Sequence, residues 1–137
     1  MKNKEIGLKV KQIATELIYE KGYLSPVEVL LKLDYLSISD YEAWRFGNIS
    51  YLEKACMVNL NKLSLINREI KKVAAVLKLE NSWTAYKKFG KGAKPILQFS
   101  KSGDKKIEEA YATHYVDKQR MTELRKKDES ITPEYDG

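Results

Sequence analysis

Residues Ser25 to Glu53 have the sequence SPVEVLLKLDYLSISDYEAWRFGNISYLE, in which three serines are each followed three positions later by a glutamate. The pairs are Ser25 with Glu28, Ser39 with Glu42, and Ser50 with Glu53. This spacing is typical of a capping box, where the hydroxyl accepts from a backbone N–H of the first turn and the glutamate reaches back to the cap. Pro26 strengthens the first box, because the first helical position needs no N–H donor. The stretch therefore predicts three closely spaced helix starts.

Apolar periodicity predicts a helix on either side of this stretch. The first helix has apolar residues at helical spacing up to Gly22, where a left-handed residue would end it. Its apolar positions are Ile6, Val10, Ile13, Ala14 and Leu17. A longer apolar stripe runs from Leu52 to Leu77 and predicts a long fourth helix with a break near Asn59 to Asn61. Arg68, Lys71 and Lys72 lie on the opposite side of that helix.

A different pattern follows Asn81. Residues Trp83 to Lys88 and Pro95 to Ser100 are rich in aromatic and branched side chains and flank the glycine-bearing loop 89–94, which predicts a β-hairpin with a basic tip. Asp104 then marks a cap, and apolar spacing up to Tyr115 predicts a short fifth helix. We therefore expect a mainly α fold: a helical bundle with a helix-turn-helix-like unit, a long fourth helix, a small wing-like basic hairpin and a short fifth helix.

Length and composition fit one ordinary globular domain. The chain has 137 residues, 43% hydrophobic and 32% charged. We expect one domain over residues 1–116 and a charged, flexible tail over residues 117–137. Cys56 is the only cysteine, which excludes an internal disulfide and favours a reducing compartment. The N-terminal residues lack the apolar run of a signal peptide, and no apolar run is long enough for a membrane span, so we expect a cytoplasmic protein.

The charge of the chain is concentrated in one segment. Residues 87–106 contain seven lysines and a single acid, Asp104, and so carry the whole formal net charge of +6. The lysines are Lys87, Lys88, Lys91, Lys94, Lys101, Lys105 and Lys106. Trp83, Tyr86, Phe89 and Phe99 lie in or beside this segment. Lysines interleaved with aromatics suit a phosphate backbone and exposed bases, through counterion release and ring stacking.

Two interpretations of the basic hairpin stay open at this point. A lysine-rich surface also protects exposed strand edges from pairing with other chains. A hairpin after a helical unit is, however, the order of a winged helix, whose wing commonly follows phosphate. Lysine predominates over arginine, which favours backbone contact over base recognition. The predicted nucleic-acid contacts are these seven lysines together with Trp83, Tyr86, Arg45, Arg68, Lys71 and Lys72.

Residues Ser25 to Gly47 resemble the phage-repressor type of helix-turn-helix, with Trp44 and Gly47 at the end of the second helix. The chain departs from that pattern because its turn is about one residue longer than the usual unit. The second helix also opens with Asp40 and Glu42, and carboxylates there repel phosphate. Only Arg45 has the chemistry of a base-reading residue on this helix. A helical hairpin that simply packs is the alternative.

The sequence contains no catalytic or metal-ligand signature. His114 and Cys56 are the only residues of their types, whereas a zinc site needs three or four such ligands. A Cys–His nucleophile pair would require the two to meet in space, but Cys56 falls on the apolar stripe of the fourth helix, as a core residue would. Gly90-Lys91-Gly92 lacks the spacing of a phosphate-binding P-loop. We expect no cofactor and no metal.

Residues Gly22 to Tyr115 also resemble small bacterial proteins of unknown function, through the strings WRFGNISYLEKAC, SWTAY, FSKSG and EEAYATHY. This resemblance implies no activity and carries over no functional residue. The residues themselves favour a non-enzymatic nucleic-acid-binding or regulatory protein that contacts the DNA or RNA backbone. The alternative is an interaction adaptor with an aromatic surface formed by Trp44, Trp83 and Tyr86, or one that docks an acidic protein. An enzyme of unknown type comes third.

Overall fold

The computed structural model of the protein describes the backbone of residues 1–131 and the side chains of residues 1–128. Within that range the chain forms a mainly helical fold with a small antiparallel sheet, which confirms the predicted fold class. The helices are α1 Asn3–Lys21, α2 Pro26–Lys32, α3 Ile38–Arg45, α4 Leu52–Ala55, α5 Leu60–Val76, α6 Lys105–Ala112 and α7 Lys118–Ile131. The strands are β1 Tyr23–Leu24, β2 Glu80–Trp83 and β3 Thr113–Val116. None of the described helices is long and apolar enough to cross a membrane.

The α1–α5 pair forms one side of the core. The five apolar residues predicted for α1 are all buried, and the helix ends at Gly22, whose φ of 78° is left-handed. The long fourth helix is divided, as its predicted break indicated, into α4 and α5. Asn59 caps α5 by accepting from the backbone N–H of Lys62 at 2.9 Å. α1 packs along α5 and buries Leu63, Ile66, Ile70 and Ala74.

Only one of the three predicted serine caps is correct. Ser25 caps α2, where its hydroxyl accepts from the N–H of Glu28 at 3.3 Å. Ser37 caps α3 instead of Ser39, which lies inside that helix. Ser50 precedes Tyr51, the N-cap of α4, and α4 has no side-chain cap. The last two capping boxes of the sequence interpretation are therefore wrong.

The regular strands lie beside the predicted hairpin and overlap it only at Trp83, the last residue of β2 and the first residue of the first arm. β3 is the central strand and pairs antiparallel with β1 and β2, with Tyr23 opposite Val116 and Trp83 opposite Thr113. The predicted fifth helix ends at Ala112, so Tyr115 belongs to β3. The two arms expected as strands at 83–88 and 95–100 share a single antiparallel bridge, from Lys87 to Ile96. The hairpin is therefore present, but it is short.

Stacked aromatic rings form the core under the hairpin. Trp44 of α3 is fully buried, and its ring lies 5.7 Å from Tyr86 of the first arm and 5.3 Å from Phe99 of the second. Phe99 stacks on Tyr111 of α6 at 5.5 Å. The Trp44 indole donates to the carbonyl of Gln98 at 2.9 Å. Both arms are thus fixed to α3 and α6, which holds the basic segment in place.

The charged C-terminal segment forms α7 up to Ile131. Arg120 donates to the carbonyl of Tyr19 and lies over the Tyr19 ring at 4.5 Å, which joins α7 to α1. Residues 132–137 of the predicted flexible tail lie outside the described residues, and flexibility of the tail stays a prediction.

Candidate nucleic-acid interface

The hairpin is closed by two backbone hydrogen bonds between its arms. The N–H of Leu97 donates to the carbonyl of Tyr86 at 2.8 Å, and the N–H of Lys88 donates to the carbonyl of Pro95 at 3.1 Å. Gly90 and Gly92 at the tip have φ values of 105° and 89°, a region that favours glycine. A Cβ added to Gly92 would meet no atom within 4 Å, so the tip is open to solvent and to ligand.

Arg45 anchors the hairpin to the end of α3. Its guanidinium donates to the carbonyl of Lys87 and to the hydroxyl of Tyr41, both at 3.0 Å. The same group lies 3.9 Å from the ring centroid of Phe89, and the Phe89 N–H donates to the Arg45 carbonyl at 2.7 Å. Arg45 is half-buried, and its Nε has no partner among the described residues. These contacts use guanidinium donors within the protein, and base recognition by Arg45 stays a prediction.

The seven predicted lysines remain directed to solvent. Six of them are exposed, and Lys88 is half-buried because its aliphatic stem covers Gly47. Among the residues with described side chains, no carboxylate lies within 4 Å of any of these seven ammonium groups. Residues 84–103 contain no acid at all. In the described part of the chain the ammonium groups of this segment therefore form no ion pair, although the carboxylates of Glu53 and Glu108 accept from backbone N–H groups of residues 99–101.

The structure divides these lysines among three surfaces. Lys87, Lys88, Lys91 and Lys94 belong to the hairpin, and with Phe89 and Phe46 they form what we call the hairpin surface. Lys105 lines a groove of about 310 Å³ between the hairpin and α6. The other two lysines, Lys101 and Lys106, line a groove of about 650 Å³ between α5 and α6.

The basic residues predicted on α5 do not form one surface with the hairpin. Arg68 lies in a separate groove with Asn59 and Asn61. Lys72 pairs with Glu69 at 3.5 Å. Lys71 lines a small groove together with Lys106 and thereby extends the α5–α6 surface. Of these three residues, only Lys71 shares a groove with a lysine of residues 87–106.

The aromatic side chains differ more strongly from expectation. Trp83 is 61% exposed and lines the groove that contains Lys105. Tyr86 is 7% exposed and packed in the core, so its predicted contact with nucleic acid is wrong. Sequence reasoning missed Phe46, which is 48% exposed and lies 5.6 Å from the Phe89 ring. Phe46 follows Arg45, the last residue of α3, and only the fold brings it to the hairpin.

Tyr86 instead takes part in a polar cluster with His114. The Tyr86 hydroxyl and His114 Nε2 are hydrogen bonded at 2.9 Å, and the His114 ring stacks on Tyr23 at 4.8 Å. Burial raises the pKa of Tyr86 and lowers the pKa of His114, because each charged form would lose its hydration. A carboxylate, Glu28, opposes the shift at His114 in part. The cluster joins β1, β3 and the first arm of the hairpin.

Cys56 and His114 make no hydrogen bond with each other in the described part of the chain. The Cys56 thiol donates to the carbonyl of Leu52 at 3.5 Å, and burial raises the pKa of this thiol to about 12, the opposite of an activated nucleophile. No group of three histidine, cysteine or acidic residues within the described range could hold a metal ion.

No protein-family model, curated protein or solved structure matches this chain. The resemblances of residues 22–115 to small bacterial proteins and of residues 25–47 to a helix-turn-helix therefore stay predictions. Any function has to be argued from the surfaces described above.

Proposed function

We propose that the protein binds the nucleic-acid backbone through the hairpin surface, with Lys105 and Trp83 beside it. One observation carries this proposal: residues 84–100 contain the four hairpin lysines and no acid, and no described carboxylate pairs with those lysines. Each lysine that neutralises a phosphate releases a condensed counterion, which supplies most of the affinity of non-specific binding.

Backbone contact is the mode that this surface favours. Lysine presents a flexible point charge, whereas base recognition relies on the planar fork of arginine or on amide side chains. The one arginine near the hairpin, Arg45, uses its donors within the protein. Asp40 and Glu42 on α3 would repel a phosphate backbone along that helix. We therefore expect little sequence preference.

The anchored hairpin supports this proposal energetically. Backbone hydrogen bonds from Leu97 and Lys88 join the two arms, and the Arg45–Phe89 contact holds the tip against α3. A rigid surface loses less conformational entropy on binding than a mobile loop does. The lysine side chains lose rotamer freedom, but the backbone that carries them is already ordered.

The adaptor alternative loses its original basis in this fold. Of the three aromatics on which it depended, Trp44 is fully buried, Tyr86 is 7% exposed, and only Trp83 remains on the surface. Docking of an acidic protein uses the same lysines and is therefore an outcome of the test.

A mobility-shift titration of the full chain against DNA and RNA at low and at moderate salt tests the proposal. We expect binding that weakens steeply with salt and varies little with sequence. Failure to bind duplex and single strands at low salt would refute it and would leave an acidic protein as the ligand to test.

A further inference from the structure

Large aromatic side chains are exposed at both ends of the first arm of the hairpin. Trp83 begins the arm with 61% of its surface exposed, and Phe89, the first residue of the loop after the arm, is 38% exposed. Five residues lie between them, so their Cα atoms are six residue steps and at most about 20 Å apart. Lys87 and Lys88 lie between them along the chain. Phosphate-binding groups are therefore bracketed by two rings.

Trp83 lies in a groove that could take a flat ligand ring. The groove separates the first arm from α6, and its apolar lining includes Ile96 and Ala112. Ile96 is itself 60% exposed. Lys105 lines the same groove and provides positive charge next to the indole. Two acidic residues, Glu108 and Glu109, also line the groove. The carboxylate of Glu108 accepts from the N–H groups of Phe99 and Ser100.

At the other end, Phe89 is held in position by its neighbours. The Arg45 guanidinium lies 3.9 Å from its centroid, and Phe46 meets it at 77°. Phe46 is 48% exposed, so this aromatic pair faces solvent beside Lys88. Contiguous exposed apolar groups rimmed by polar residues are common at interaction sites.

We propose that the hairpin surface and the Trp83 groove bind single-stranded nucleic acid in preference to duplex, with Trp83 stacking on an unpaired base. This inference rests on the proposed function and specifies its ligand. Lysines alone would bind single-stranded and duplex nucleic acid, because both carry phosphates. An exposed ring gains stacking free energy only from a ligand with exposed base faces. The bases of a duplex are stacked on each other, whereas those of a single strand are accessible.

Fluorescence and binding measurements on the full chain test this inference. Trp44 is fully buried and Trp83 is the exposed tryptophan, so quenching of intrinsic emission by a bound base reports on Trp83. The probes are a thymidine oligonucleotide of about 15 bases and a duplex with the same number of phosphates. The variants are Trp83→Ala, Trp83→Phe as the conservative replacement, and Leu8→Ala as a matched loss of an exposed apolar side chain on α1.

We expect the oligonucleotide to quench the wild-type emission and to bind more tightly than the duplex. Trp83→Ala should weaken single-strand binding by about 5- to 150-fold, because stacking of one base on one ring contributes that much affinity. Duplex binding should weaken much less, so the preference for the single strand should decrease. Trp83→Phe should retain most of the affinity while losing the quenching, and Leu8→Ala should behave as wild type. Circular dichroism of each variant establishes that it is folded.

These measurements distinguish stacking on Trp83 from backbone binding through the lysines. A Trp83→Ala variant with unchanged single-strand affinity overturns stacking, whatever the ratio between single strand and duplex. Equal affinities for the two probes also overturn the preference, while backbone binding through the lysines stands. Absence of binding to both probes overturns the proposed function itself.

Discussion

The guanidinium of Arg45 lies 3.9 Å from the ring centroid of Phe89, and this contact joins the last residue of α3 to the hairpin tip. Two hydrogen bonds reinforce it, one from Arg45 to the carbonyl of Lys87 and one from the Phe89 N–H to the carbonyl of Arg45. The orientation of the basic tip therefore depends on an arginine that does not itself need to contact a ligand.

Replacing Arg45 with methionine should destabilise the protein and weaken binding together. The variant loses two charge-assisted hydrogen bonds and a cation–π contact, which we expect to lower the free energy of unfolding by about 1–3 kcal/mol. Urea denaturation measures this loss. Arg45→Lys should recover little of it, because an ammonium cannot reproduce the planar, stacked fork.

Arg68→Met is the matched control, since Arg68 is exposed on α5 and should change stability by less than about 0.5 kcal/mol. Nucleic-acid affinity of the Arg45 variants should fall alike for all sequences. A change in sequence preference would show that Arg45 reads bases after all.

The four serines near the helix starts separate true caps from apparent ones. Ser37→Ala removes the acceptor for the N–H of Asp40 and should lower the free energy of unfolding by about 1 kcal/mol, and Ser25→Ala should have a similar effect. Ser39→Ala and Ser50→Ala should change stability by less than about 0.5 kcal/mol, because neither hydroxyl caps a helix. Thermal and urea unfolding of the four variants provide the comparison. Equal losses at Ser37 and Ser39 would contradict the cap assignment.

The local sequence does not show whether Ser37 or Ser39 is the N-cap of α3. Ser37 and Ser39 each have an acidic residue three positions later, so both satisfy the capping pattern. The choice follows from Leu36, which is buried and donates its N–H to the carbonyl of Leu30, so that the turn ends at Ser37. The hydrogen bond is local, but the burial of Leu36 is a tertiary restraint that the pattern of side-chain types does not contain.

The error at Ser50 has a similar origin. The first N–H groups of α4 donate to the second arm of the hairpin, from Leu52 to Gln98 and from Glu53 to Phe99. The Glu53 carboxylate accepts from the Lys101 N–H and the Tyr111 hydroxyl instead of returning to the cap. Partners about 50 residues away satisfy the groups that a local cap would have satisfied. Long-range pairing of this kind is not visible in a sequence pattern.

Helices were easier to predict than strands for the same reason. α1 has a strong apolar stripe and a glycine at its end, and Asn59 marks the start of α5. β2 has the sequence ENSW, which shows no apolar alternation, and it forms because β3 pairs with it from 30 to 36 residues away. The lysine cluster was visible in the sequence, but its division among three surfaces required the fold.

His114 should make stability depend on pH between about 7.5 and 5.5. Burial lowers its folded-state pKa below the unfolded value of about 6.5, so the unfolded chain binds more protons in that interval. The free energy of unfolding should therefore be fully retained above about pH 7 and should decrease as the pH falls through 6.5. Urea denaturation at pH 7.5, 6.5 and 5.5 measures the decrease.

His114→Gln is the matched variant, because its side chain keeps a polar partner for the Tyr86 hydroxyl and does not titrate. His114 is the only histidine of the chain, so the variant should lose the pH dependence in this interval. If the free energy of unfolding depends on pH equally in the wild type and in His114→Gln, groups other than His114 cause that dependence.

The hairpin lysines provide the most direct test of function. Changing Lys87, Lys88, Lys91 and Lys94 together to glutamine removes up to four phosphate contacts while leaving the buried residues untouched. Each duplex contact contributes about 0.9 to the slope of log affinity against log salt, so the slope should decrease by roughly two to four units. Affinity should fall similarly for every sequence, since backbone contacts do not read bases. Mobility-shift titrations at several salt concentrations measure both quantities.

A control with the same loss of charge distinguishes a site from a general effect of net charge. Lys2, Lys4, Lys9 and Lys11 are exposed at or near the start of α1, and changing all four to glutamine removes the same formal charge. Because long-range attraction between exposed charges is screened beyond about 10 Å at 0.1 M salt, this variant should keep most of the wild-type slope. Equal losses in the two quadruple variants would assign the binding to overall charge and would remove the special role of the hairpin. A loss confined to the hairpin variant would assign the contacts to the segment that carries the whole net charge of the chain.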